Sequence, residues 1–234
     1  MHSSARCLRE IKLPVTALAV AFANNKLLRV PVIEKLDEAP ARGGFVDDAE
    51  FNAISKHLSV DLQTVARVAY TFGWRKEEIF SRQLRHLDLD GGTLRRDPGE
   101  TKNGAGRLVR LTPEVKTALA AQVTRVQTWM RSTGRIMPWL FPHLSGRHEG
   151  QRIDDLKKAW ARACRLAGRP GLLFHDLRRS AVRNMEKAGV PRSVAMKQTG
   201  HKTENIYKRY AIVSDADLAE AAHKMSARRT AAQG

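Results

Sequence analysis

Residues Phe174 to Tyr210 read FHDLRRSAVRNMEKAGVPRSVAMKQTGHKTENIYKRY, and the punctuation of this stretch limits what it can fold into. Gly189 stops one helical pattern. Val190-Pro191 opens the next with proline at a permitted first-turn position, and Gly200 supplies a left-handed cap. Thr203 then caps a third helix expected to carry both Tyr207 and Tyr210. The segment is therefore three short helices rather than one long helix or a strand. In the first, Leu177, Ala181, Met185 and Ala188 fall on a face that can be buried, while His175 and Arg178, three apart, share another. His201 follows Gly200 directly.

The chemistry of these side chains converges on a phosphate. A guanidinium holds non-bridging oxygens with a planar donor fork and cannot lose its charge. A histidine donates to an oxygen or moves a proton. A phenol can attack phosphorus and form a covalent intermediate. The charge balance agrees: 41 Lys+Arg stand against 24 Asp+Glu, a net charge of +17, which calls for a polyanionic partner, with nucleic acid the first choice.

Other classes are excluded or disfavoured. Cys7 and Cys164 form neither a disulfide framework nor a zinc spacing. His143 and His148 read as surface histidines, no carboxylate cluster suggests a metal, and no cofactor motif is present. No run is long enough to span a bilayer. Leu13 to Ala23 superficially resembles a signal peptide behind Arg6, Arg9 and Lys12, but continues into further apolar sequence and reads as a buried helix.

The rest of the chain alternates helical patterns with one sheet. Glu38 to Gly44 is a Pro/Gly/Ala linker. Asp47 and Glu50 have capping-box spacing. A core helix runs from about Asp61 to Phe72 and stops at Gly73. Leu87 to Gly92 forms a turn, Thr93 to Arg96 a strand, and Arg107-Leu-Val-Arg-Leu111 alternates as a half-buried strand. Thr101-Lys102-Asn103-Gly104 carries a hairpin-turn signal between them. A three-stranded antiparallel sheet follows. Thr112-Pro113 starts a helix of about twenty residues with Leu119, Val123, Val126 and Met130 inward. Asp154 to Ala167 is amphipathic, with Arg162, Arg165 and Arg169 offering a basic face to phosphate or to solvent. Ser214 to Asp217 caps a last helix, and residues 227–234 read as a frayed tail.

HDLRRS and TGHKTENIYKRY together, in the order HxxR, Gly-His, then Tyr nine residues on, resemble the catalytic domain of tyrosine recombinases, the phage-integrase family. Trp74-Arg75-Lys76-Glu77-Glu78-Ile79 resembles that family's first-arginine box, with Phe72-Gly73 in place of its Thr-Gly. The resemblance implies an α+β fold, mainly α-helical, with a small three-stranded antiparallel sheet. It implies a catalytic domain over 45–226, preceded in 1–44 by a linker and a remnant of a helical DNA-clamping domain. It assigns Arg75 and Arg178 to the non-bridging oxygens, with Glu78 as the acidic partner. His201 donates to the phosphate, Tyr210 is the nucleophile, His175 manages its proton, and Lys102 is the general acid on the leaving 5′ oxygen. Tyr207 is the rival nucleophile, and the nine-residue step from His201 selects Tyr210. The activity implied is site-specific DNA recombination or integration through a 3′-phosphotyrosyl link, with no metal, no cofactor and no ATP. The implied partners are double-stranded DNA and further copies of the chain, a synaptic tetramer coupled through helix 214–226, in the cytoplasm at the nucleoid. Two alternatives stand beside it: a type IB topoisomerase, and a non-catalytic DNA-binding remnant.

Overall fold

The structure is a computed structural model that describes residues 44–100, 106–208 and 210, with a few residues in the segments 17–26 and 218–226. The linker, the hairpin turn with Lys102, most of the last helix and the tail lie outside the described residues. Two units are distinguished, Met1–Gly43 and Gly44–Gly234. In the first, the described residues of 17–23 are helical, and Val20 and Phe22 are exposed where a buried helix was expected.

The second unit begins with α1, Asp48–Ser55. Its start is fixed reciprocally: Asp47 accepts the Glu50 N–H at 2.8 Å and Glu50 accepts the Asp47 N–H at 3.1 Å. α2, Val60–Phe72, buries Leu62, Val65, Ala66, Val68, Ala69 and Phe72, which together cover nearly all sides of a helix and make it a core element. It ends at Gly73, whose φ of +67° is left-handed and costs a glycine little. A short α3, Lys76–Phe80, and a 3-10 turn, Leu84–His86, lead into the sheet.

The three strands are β1, Leu87–Asp88, β2, Thr93–Arg96, and β3, Arg107–Arg110, antiparallel in that order. Leu94 pairs with Val109 and Arg96 with Arg107. One face therefore carries two apolar residues and, next to them, two arginines. The expectation that the charged residues of β3 point to solvent fails at Arg107, whose side chain is 6% exposed, whereas Leu108 is 54% exposed.

Beyond the sheet lies α4, Pro113–Thr133, capped by Thr112. α5, Lys157–Leu166, starts later than the pattern suggested, after the Asp155 carboxylate accepts the Lys157 N–H at 3.0 Å. Arg169 does not join a basic outer face. It is bonded to Glu50 and to the Phe45 carbonyl. α6, Asp176–Lys187, α7, Arg192–Thr199, and α8, Glu204–Lys208, are the three short helices read from the glycine and proline spacing. α6 buries Leu177, Ala181 and Met185, while Ala188 is exposed at its end. α2 packs against both α4 and α6, so the helix ending at Gly73 delivers its C-terminus to the α6–α7 pair.

Candidate active site

The junction between α2 and α3 is where the site begins. Arg75 is the N-cap of α3, and Glu78, in its first turn, accepts the Arg75 N–H at 2.9 Å and Arg75 Nη1 at 3.1 Å. Glu78 is 6% exposed. It accepts two further guanidiniums, Arg96 Nη1 at 2.8 Å and Arg107 Nη1 at 3.1 Å. Arg96 and Arg107 are direct cross-strand partners, an arrangement that repels unless something sits between them. The Glu78 carboxylate is that something. Burial would raise its pKa, but Arg107 and Arg75 outweigh burial and hold it below its usual range.

The second half of the site comes from α6 to α8. His175 is the N-cap of α6 rather than its first helical residue, and the Arg178 N–H bonds back to its carbonyl at 3.1 Å. Arg178 is 1% exposed, and its hydrogen-bond partners among the described residues include no carboxylate. Its Nη1 donates to the carbonyls of Gly73 and Thr199, the latter at 2.7 Å, and its Nε donates to His201 Nε2 at 3.2 Å. Its Nη2 is buried with no hydrogen-bond partner among the described residues. Burial and the charge of Arg75 pull its pKa down to about 10, which leaves it protonated at neutral pH.

His201 is fixed in one tautomer. The Thr199 hydroxyl donates to the Ala195 carbonyl at 2.7 Å, so it accepts from His201 Nδ1, also at 2.7 Å. Nδ1 carries the proton and Nε2 accepts from Arg178. Burial, then the charges of Arg178, Arg75 and Arg107, push this ring down to about 3, so it is neutral at pH 7. In this arrangement His201 Nε2 is an acceptor for Arg178 and carries no proton. His175 is also pushed down, by burial first and then by Arg178 and Arg75.

The two tyrosines part company. α8 ends at Lys208, so Tyr210 lies in the turn after the helix rather than on it. Its hydroxyl is 3.1 Å from His175 Nε2, its ring lies 4.7 Å from that of His201, and Arg178 Cζ is 5.6 Å from its centroid. Tyr207 points the other way. It is 1% exposed, packs with Ala181, Val182, Met185 and Ala195, and donates to Glu186 at 2.9 Å. Burial and Glu186 raise its pKa well above the usual phenol value. A cavity of about 670 Å³ opens between the halves, lined among others by Arg75, Glu78, Arg107, His175, Gly200 and His201.

The structure thus brings together Arg75, Glu78, His175, Arg178, His201 and Tyr210, while Lys102 lies outside the described residues. Sequence reasoning missed Arg96, Arg107 and Thr199. The period-two pattern did place Arg96 on the face of Leu94 and Arg107 on that of Val109, and this was the available signal.

Among the described residues, His86, Asp97 and Glu100 are the group with metal-like spacing. Their bonds serve another end. His86 Nδ1 accepts the Gln83 N–H at 3.0 Å, so the neutral ring keeps its proton on Nε2, facing Glu100 at 3.2 Å, and Glu100 pairs with Arg82 at 2.6 Å. A metal at Nε2 would need a proton on Nδ1, which that backbone donor forbids.

Solved recombinases share this architecture. The recombinase XerA superposes with a TM-score of 0.66 at 17% identity, covering 80% of this chain and 66% of its own. The Tn1549 transposon integrase, in complex with circular intermediate DNA, gives 0.68 at 14% identity over 89% of this chain and 75% of its own. Among curated proteins, the integrase of Salmonella phage P22 is 22% identical over 204 residues, 84% of this chain. The chain spans about half the length of that relative. A profile of the phage integrase family matches residues 47–217, and the chain belongs to that family. No described helix is long and apolar enough to cross a membrane.

Proposed function

We propose that this chain cleaves and rejoins DNA strands at a specific site through a 3′-phosphotyrosyl intermediate on Tyr210. The observation that carries the reading is the Tyr210 hydroxyl, 3.1 Å from His175 Nε2, on a ring whose centroid lies 5.6 Å from Arg178 Cζ.

A phosphodiester resists attack because it is anionic and its alkoxide leaves poorly, so positioning and charge stabilisation must supply most of the catalysis. Arg178 Nη2 and the half-exposed Arg75 hold the non-bridging oxygens. His175 takes the phenol proton as the Tyr210 oxygen attacks phosphorus. The bond to the 5′ oxygen breaks, and Lys102 protonates that oxygen. The arriving phosphate also reverses the field that keeps His201 neutral, and a proton taken up there makes it a donor to the same phosphate. The tyrosyl ester retains the phosphodiester energy, and another strand's 5′ hydroxyl reverses the step, so neither ATP nor metal enters. DNA is the partner. Assembly into a synaptic tetramer through helix 214–226 and a place at the nucleoid in the cytoplasm belong to the same reading.

The test is supercoiled plasmid incubated with the protein in EDTA without ATP, then quenched in denaturing detergent. Protein covalently joined to DNA is expected, with Tyr210→Phe forming none. Bound DNA without covalent product from the wild type would refute the reading in favour of a binding remnant. Relaxation that stays independent of site would favour the topoisomerase alternative.

A further inference from the structure

We propose that Arg107 is a positioning residue for strand cleavage, a lock between Glu78 and the Gly200–His201 turn. The inference rests on the strand-transfer reading and deepens it. The Arg107 side chain is 6% exposed on β3 and grips Glu78 at two points, Nη1 to Oε2 at 3.1 Å and Nη2 to Oε1 at 3.4 Å. Its Cζ stands 5.6 Å from the centroid of the Trp74 ring, and Trp74 Nε1 donates to the Gln198 carbonyl at 3.2 Å. The guanidinium also covers Gly200: a Cβ built on that residue would overlap its Nη2 and Cζ.

Each of these contacts leads to a different reacting group. Glu78 holds both the backbone and the guanidinium of Arg75. Gly200 immediately precedes His201, whose ring bonds Arg178 and packs on Tyr210. One planar cation on β3 therefore ties the backbone bearing Arg75 to the backbone bearing His201. Gly200 is required twice, by its φ of +76° and by the group lying against it. A lysine would keep the charge but lose both the fork and the flat cover.

The experiment uses the full chain with Arg107→Ala, Arg107→Lys, Gly200→Ala and the Arg107→Ala/Gly200→Ala double variant. Thermal melting reads the lock without DNA. Left-handed strain from Gly200→Ala is common to both backgrounds and cancels, so the coupling isolates the contact with Arg107. Gly200→Ala is expected to lower Tm less when Arg107 is already alanine, and additive losses would overturn the lock. The rate of covalent adduct on supercoiled plasmid, at saturating protein, reads positioning. Each single variant is expected to be slower by roughly 100-fold, the cost of a displacement on the order of 1 Å at a reacting centre. Plasmid affinity by mobility shift should stay within about threefold of wild type. Arg107→Lys cleaving at the wild-type rate would show that charge alone suffices and overturn the proposal. A loss of affinity matching the loss of rate would make Arg107 a phosphate-binding group and overturn it too. If the wild type forms no adduct, the strand-transfer reading fails and the role in cleavage falls with it, while the melting cycle still decides whether the lock exists.

Discussion

The two halves of the site hold their cations in opposite ways. On the sheet side, Arg75, Arg96 and Arg107 converge on the Glu78 carboxylate, charge against charge. On the helix side, Arg178 is held by two carbonyls and a neutral imidazole, with no carboxylate bonded to it among the described residues. A buried guanidinium neutralised by a buried carboxylate, as Arg96 and Arg107 are, is committed to the scaffold, while the half-exposed Arg75 still lines the cavity. One held only by dipoles keeps its full charge for an incoming anion, and Arg178 Nη2 has no partner among the described residues. The difference divides the site into a frame and a receptor.

The sharpest way to break this division is at Arg178. Arg178→Lys should slow covalent adduct formation by roughly 1,000-fold, because the three donors of a lysine radiate from one nitrogen and cannot span two carbonyls, the His201 ring and a phosphate as the planar fork does. Single-turnover rates on plasmid at saturating protein check it, and a loss under tenfold would place Arg178 in the frame instead.

Glu78→Gln should cost stability in addition to slowing the adduct, since it removes one end of the Arg107 lock. Removing the carboxylate leaves buried guanidiniums uncompensated, a cost of about 3–5 kcal/mol, readable by denaturant melts. The pH dependence has a fixed sign. The folded pKa of Glu78 lies below its reference of 4.5, so its contribution is complete above that value and is lost as pH falls through the folded pKa. Glu78→Gln should lack this acid-limb loss, and an unchanged acid limb would contradict the frame role.

A smaller effect is expected at Tyr207→Phe. It deletes the bond to Glu186, worth about 1.5–3 kcal/mol of stability for a charged acceptor, yet adduct formation should survive. Abolished adduct in this variant, with Tyr210→Phe still active, would exchange the roles of the two tyrosines.

The mildest test concerns His201. Thr199→Val removes the acceptor for Nδ1–H and should slow the adduct about tenfold, roughly the worth of one hydrogen bond. Nitrogen NMR of the free wild type should find this ring neutral and Nδ1-protonated at pH 7. Because its folded pKa, about 3, lies below the unfolded 6.5, His201 adds stability above pH 6.5 that declines as pH falls toward 3.

Much of the helix side was legible because its residues lie within one stretch of 37, where glycine and proline spacing sets the elements. HxxR needs only one turn of helix to align His175 with Arg178, and the Asp47–Glu50 cap is equally local. Two features escaped. The fate of each tyrosine depends on where α8 stops and which way it rolls, and three-residue spacing does not report that. The convergence of Arg96 and Arg107 on Glu78 depends on strand register and on the approach of α3 to the sheet. The period-two pattern put both on the face of Leu94 and Val109, but charged residues normally face solvent, so residue type argued against the face that the pattern gave. Only a buried carboxylate supplied from another element reverses that preference.

The buried seat of Tyr207 also acts as a tether. Two residues separate it from Tyr210, and a chain reaches at most about 3.3–3.6 Å per residue. While Tyr207 stays rooted beneath α6, the Cα of Tyr210 can travel no further than roughly 10 Å from it. The proposed nucleophile is leashed to its own pocket. Moving Tyr210 further would first require pulling an aromatic ring out of the core, so a buried residue sets its reach.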